Sequence, residues 1–129
     1  MSRSSKQVEV YLEVGKKRVI AGALDWPGWC RIGRDEAAAL QALAAAWPRY
    51  AQAIGAAELG LPAPADASAL FVAERLAGTT TTDFGAPDVA PSCDALPVGA
   101  PELRRLQALL RACWQALDHA CLLYTSRCV

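Results

Sequence analysis

At 129 residues the chain is long enough for one small domain, or for one domain and part of another. Its 13 basic and 13 acidic residues cancel, so no bulk attraction to nucleic acid or to an anionic membrane is available. Apolar residues make up 53% of the chain, but much of that share is alanine, which buries little area, so the core must rest on Val, Leu, Ile and four Trp. No apolar run reaches the roughly 18 residues of a spanning helix. The start, Met1-Ser2-Arg3-Ser4-Ser5-Lys6, leads into a strand pattern and not into an apolar secretory segment. The expected compartment is the cytoplasm.

The first predicted element is a strand, because Val8, Val10, Leu12 and Val14 alternate with Glu9, Tyr11 and Glu13. Gly15-Lys16-Lys17 suits a hairpin turn. Arg18 to Leu24 gives a second strand, whose Val19 and Ile20 fit a pleated surface. Gly22 inside it marks a bulge or the close approach of another backbone. Pro27-Gly28 supplies the next reversal: proline presets φ at the second turn position and glycine tolerates positive φ at the third, as a type II turn requires. Trp29 to Ile32 makes a short third strand, and three antiparallel strands result.

Asp35 is a good helix N-cap, since its carboxylate can accept from the free amides of the first turn. Leu40, Leu43, Trp47, Tyr50 or Ala51, and Ile54 then form one apolar face. Pro48 interrupts the run, predicting a kink or a second short helix with Pro48 in its first turn. Gly55 or Gly60 ends the element, and Pro62, Pro64 and Asp66 make a loop. Between Leu70 and Leu76, Phe71-Val72 favours a strand while Glu74 and Arg75 suit a helix. A fourth strand is expected, because three strands with one helix leave an edge open. The Thr, Pro, Gly and Asp content of residues 78–100 predicts an irregular linker. Pro101-Glu102 opens a last helix, with Leu103, Leu106, Leu110, Cys113 or Trp114, and Leu117 along one face. The expected fold class is α+β: a small antiparallel sheet of three or four strands against one kinked helix, plus a separate amphipathic helix.

The order of turn and cap residues resembles the N-terminal domain of HicB-type antitoxins over residues 7–58. A hairpin precedes an Asp-x-Pro-Gly turn (Asp25, Pro27, Gly28), then a short strand, a glycine (Gly33), a helix cap (Asp35) and Ala39-Leu40. Trp29 stands where that family usually has a small residue or cysteine after the turn, with Cys30 one place later. Ala37 and Ala38 stand where glutamates are common. The resemblance implies a partial ribonuclease-H-like sheet crossed by a helix, and a protein that binds and neutralises a small ribonuclease toxin. It also implies a C-terminal DNA-binding segment, yet neither a helix-turn-helix nor a basic stripe is legible after residue 60.

Leu103 to Asp118, with its Leu-Leu-x-x-x-Trp-x-x-Leu spacing, is similar to the first helix of a DinB-like bundle. The alternative reading is therefore the accessory part of a truncated DinB-like metal-binding enzyme. Cys121-Leu122-Leu123-Tyr124-Thr125-Ser126 resembles a translated transposase end sequence of the kind used to tag sequencing libraries, and Arg127-Cys128-Val129 its reverse complement. The expected organisation is thus an α+β domain over 1–77, a linker over 78–100, the start of a second domain over 101–120, and a read-through tail over 121–129.

Chemistry is sparse. Cys30, Cys93 and Cys113 are widely spaced and odd in number outside that tail, so neither a zinc site nor a disulfide framework is supported, and no cofactor is expected. Asp83-Phe84-Gly85 matches the metal-binding tripeptide of protein kinases, but no glycine-rich loop or catalytic-loop motif accompanies it, and a plain turn is expected. No serine or cysteine occupies a nucleophile motif, and no acid–base pair is legible, so the reading leans away from an enzyme. The candidate partner-binding residues are Trp26, Pro27, Gly28, Trp29 and Arg31, with Asp25, Gly33 and Asp35 as structural turn and cap residues. Trp26 and Trp29 either pack in the core and cover the turn from within, or stack on a base or a partner's side chain. Arg18, Arg31 and Arg34 could form a small basic rim beside them.

Overall fold

The computed structural model describes residues 7–55, 59–60, 63–64 and 66–127, with side chains to residue 124. The opening segment 1–6, Pro62, and Cys128 with Val129 lie outside the described residues. The chain divides into two compact units: Met1–Pro48 with Pro62–Leu96, and Arg49–Leu61 with Pro97–Val129.

The first unit is built on a four-stranded sheet in the order β3-β2-β1-β4: β1 (Val8–Val14), β2 (Val19–Ala23), β3 (Cys30–Gly33) and β4 (Leu70–Ala77). The first three strands pair antiparallel, with Leu12 opposite Ala21 and Ile20 opposite Ile32. β4 pairs with β1 in parallel, which requires the chain to cross from one end of the sheet to the other between β3 and β4. That crossing carries α1 (Glu36–Ala45). The sheet is therefore mixed, and β4 is the fourth strand expected from Phe71-Val72. A bulge sets Val10 opposite Val72 but Tyr11 opposite Glu74, so Ala73 is the extra residue.

Strand alternation sorts the side chains onto two faces. Val8, Val10, Leu12, Val19, Ala21 and Ala23 are buried on the face toward α1, together with Ala39 and Leu43 of that helix. Asp35 caps α1 as anticipated, its Oδ1 accepting from the Ala38 amide at 2.8 Å. Gly33 lets the helix approach β3 closely: a Cβ there would stand 2.3 Å from the Ala39 nitrogen. At the far edge, Arg75 of β4 forms an ion pair with Glu36 at 3.1 Å. Pro48 does not kink a continuous helix. α1 ends at Ala45, and α2 (Trp47–Ile54) begins with Pro48 in its first turn, where the missing N–H costs nothing.

The opposite sheet face is covered by the segment predicted to be a linker. It holds a four-residue helix, α3 (Thr80–Asp83), and a 3-10 turn at Ser92–Ala95. One buried charge organises it. Glu13 is 0% exposed, and its carboxylate accepts from the Thr82 hydroxyl, from the Asp88 amide at 3.1 Å and from the Val89 amide at 2.9 Å. Glu74 does the same further along, accepting from the Ser92 amide at 2.9 Å and from its hydroxyl. Asp83, of the kinase-like tripeptide, closes the β1–β2 hairpin by accepting from the amides of Lys17 at 2.7 Å and Arg18 at 3.1 Å. Residues 78–96 thus form a strap held against the sheet, in the same compact unit as the strands.

The second unit is helical. Its long element is α4 (Ala100–Arg127), continuous across residue 120. Leu109 and Ala112 of α4 are buried in this unit, as are Tyr50 and Ile54. Burial first, and then the neighbouring Cys113, pushes the Tyr50 phenol up to about 12. No helix among the described residues is long and apolar enough to cross a membrane.

Candidate functional site

The turn between β2 and β3 positions the candidate site. Trp26-Pro27-Gly28-Trp29 closes with the Trp29 amide donating to the Trp26 carbonyl at 3.1 Å. Gly28 has φ of +90°, the left-handed conformation that the third position of a type II turn demands. The chain then re-enters the sheet, with the Ala23 amide donating to the Trp29 carbonyl at 3.0 Å.

The tryptophans are turned inward. Trp29 is 1% exposed, and its indole Nε1 donates to the Leu43 carbonyl at 2.9 Å. The Leu43 carbonyl, in the last turn of α1, also accepts from the Ala46 amide at 3.2 Å, and the indole is a second donor to it. Trp26 is 8% exposed. Of the two readings weighed for these side chains, covering the turn from within is the one the structure gives, and neither indole is presented to a partner. Pro27 and Gly28 are exposed. Arg31 is also displaced from the expected rim. It pairs with Ala21 on the α1 side of the sheet, and its guanidinium donates to the Cys30 carbonyl at 2.7 Å.

What the turn does border is a cleft of about 280 Å³ on the other sheet face. Tyr11 and Cys30 form its floor, Pro27 and Gly28 one wall, and Pro91 and Asp94 of the strap the opposite wall. Gly22 opens the floor: a Cβ there would meet the Tyr11 ring at 2.5 Å. The close approach expected at Gly22 is thus an aromatic ring, neither a bulge nor a second backbone. That pairing was legible in principle, since a glycine directly across from a tyrosine on neighbouring strands leaves room for the ring. Asp94 was not legible, because nothing local ties residue 94 to β1.

The electrostatics of the cleft oppose negative charge. Burial first, then Cys30, Glu13, Asp94 and Cys93, raise the Tyr11 phenol above its ordinary value. At the strap, burial and then Asp94, Glu74 and Asp25 raise the Cys93 thiol. A thiol held protonated is a poor nucleophile. The rim is acidic, with Asp25 and Asp94 both exposed, so it favours cationic groups. Among the described residues no three His, Cys, Asp or Glu side chains are grouped to hold a metal ion.

Compared with known protein families, curated proteins and solved structures, the chain matches none.

Proposed function

We propose that the sheet unit is a protein-binding module, HicB-like and cytoplasmic, whose partner is a small basic protein of the ribonuclease-toxin type. The observation that carries this reading is the acidic cleft between the Pro27-Gly28 turn and the strap, beside the edge strand β3. A protein that acts on RNA must carry Lys and Arg to neutralise phosphates. Asp94 in the cleft's lining offers a carboxylate to such side chains, Asp25 stands near enough to act on Cys93 beside it, and Pro27 and Tyr11 offer apolar and aromatic surface. An edge strand also has backbone groups on one side that can accept a partner strand. The order of elements supports the same reading: hairpin, Pro-Gly turn, short strand, capped helix and a parallel fourth strand at the β1 edge.

The test is co-expression of the full chain with a small basic ribonuclease encoded beside its gene. Growth rescue is expected from the wild-type chain. The double variant Asp25→Lys/Asp94→Lys, both at exposed positions, should lose it while retaining its helical and sheet signal by circular dichroism. Unrelieved toxicity with the wild-type chain refutes the partner class. Rescue that survives the double variant refutes the cleft.

A further inference from the structure

We propose that the cleft receives a single arginine side chain of the partner, its guanidinium stacked on the Tyr11 ring and bonded to the Asp94 carboxylate. This rests on the reading that the partner is basic, and names the group it inserts. Size sets the first limit. At about 280 Å³ the cleft falls below the roughly 300–1,000 Å³ of sites for drug-sized molecules, and it suits one long side chain. The floor sets the second. Tyr11 stands directly across from Gly22 in the β1–β2 register, and a Cβ at Gly22 would lie 2.5, 2.8 and 2.9 Å from the ring's Cε1, Cζ and hydroxyl oxygen. The ring therefore lies over the bare Gly22 backbone, with its other side toward the cleft. A planar guanidinium stacks on an aromatic face, whereas a compact, strongly hydrated ammonium does so less readily. Pro27 and Pro91, on opposite walls, enclose the methylene stem.

Hydrogen bonding then selects a donor-rich cation. Pro27, Pro87 and Pro91 of the lining have no N–H to offer. The amides of Ala23, Leu24, Trp29 and Asp94 are already given to backbone carbonyls, and the Trp29 indole to that of Leu43. No Lys, Arg or His among the described residues lines the cleft, so an anion would find few free donors there. Acceptors, by contrast, are available. Asp94 forms no ion pair among the described residues, and the donor beside it is the Cys93 thiol at 4.0 Å, a weak one. The Tyr11 hydroxyl has no hydrogen-bond partner among them. A guanidinium is the complement of such a site, with five N–H donors in one plane and no acceptor. Its pairing with a carboxylate is charge-assisted and can be bidentate.

The peptide acetyl-Gly-Arg-Gly-amide, titrated into the full chain and followed by two-dimensional amide NMR, tests this. Shifts are expected at Cys30 and Asp94, saturating with a dissociation constant on the order of 1 mM. The lysine peptide should bind about threefold more weakly or worse, and the citrulline peptide, of the same shape but neutral, should not bind. Asp94→Asn should weaken the arginine peptide about fivefold or more, and Tyr11→Leu likewise, with circular dichroism reporting that the fold persists. Asp94 is exposed, so its variant tests the site even where Tyr11→Leu unfolds. Equal binding of the citrulline peptide, shifts confined to residues outside the cleft, or indifference to Asp94→Asn overturns the proposal. A lysine peptide that binds as tightly overturns the choice of guanidinium. The two readings fail separately. Growth rescue without arginine binding removes this inference and leaves the toxin partner, whereas arginine binding without rescue removes the toxin partner and leaves the ligand of the cleft.

Discussion

Replacing Glu13 by leucine, a side chain of similar size, isolates what the buried carboxylate does for the strap. The change removes the acceptor for three donors: the Thr82 hydroxyl and the amides of Asp88 and Val89. A hydrogen bond to a charged group contributes about 1.5–3 kcal/mol net, and each buried donor left without a partner costs about 1–3 kcal/mol. The Thr82 hydroxyl already accepts from the Thr79 amide at 2.9 Å, and its hydrogen can turn toward another acceptor. The two amides cannot turn. Glu13→Leu should therefore cost about 3–4 kcal/mol, a large part of the stability of a small domain, or else the strap lifts to let water reach residues 88 and 89. Glu13→Gln keeps one acceptor oxygen for the amides and should cost about 1–2 kcal/mol. Urea unfolding gives the energies, and hydrogen exchange at the Asp88 and Val89 amides reports the strap directly. Replacing a buried ion by an apolar group is sometimes neutral when its partners are replaced as well, but here they remain. A leucine variant within about 1 kcal/mol of wild type, with both amides still protected, would refute the reasoning.

Two tryptophans give opposite expectations for the same substitution. Trp29→Phe removes the bond to the Leu43 carbonyl and should cost about 2–3 kcal/mol, whereas the buried Trp47 Nε1 has no hydrogen-bond partner among the described residues, and Trp47→Phe should cost clearly less by thermal unfolding. Glycine substitutions should rank by what the new methyl meets. Gly33→Ala collides with the α1 backbone and is expected to cost more than Gly22→Ala, which collides with a ring, and Tyr11→Ala should remove most of the Gly22→Ala penalty in a double-mutant cycle. The pH dependence of the hairpin follows from Asp83, whose carboxyl is lowered chiefly by the Lys17 amide and then by those of Arg18 and Lys16. A lowered carboxyl stabilises the fold above the ordinary aspartate value of about 4, and that contribution is lost as pH falls through the depressed value. Asp83→Asn should flatten the stability profile below about pH 4, followed by chemical denaturation in acid; an unchanged slope would contradict the assignment.

How much could be seen in the residues themselves divides along the range of the forces involved. The Pro27-Gly28 turn, the Asp35 cap, the helix break before Pro48 and the period of two in β1 are each decided by backbone sterics and hydrogen bonds within a few residues. The local pattern spelled them out. The strap was not legible, because its threonines, prolines and aspartates carry no periodic signal, and its place depends on a carboxylate 69 residues away from Thr82. Tertiary structure also decided which way the tryptophans face. Nothing local to the turn says whether an indole beside it points in or out, and the arrival of α1, which brings the Leu43 carbonyl within 2.9 Å of the Trp29 indole nitrogen, is what holds that side chain inward. The candidate cleft exists for the same reason: β1, the turn and the strap meet there only after the chain has crossed the sheet.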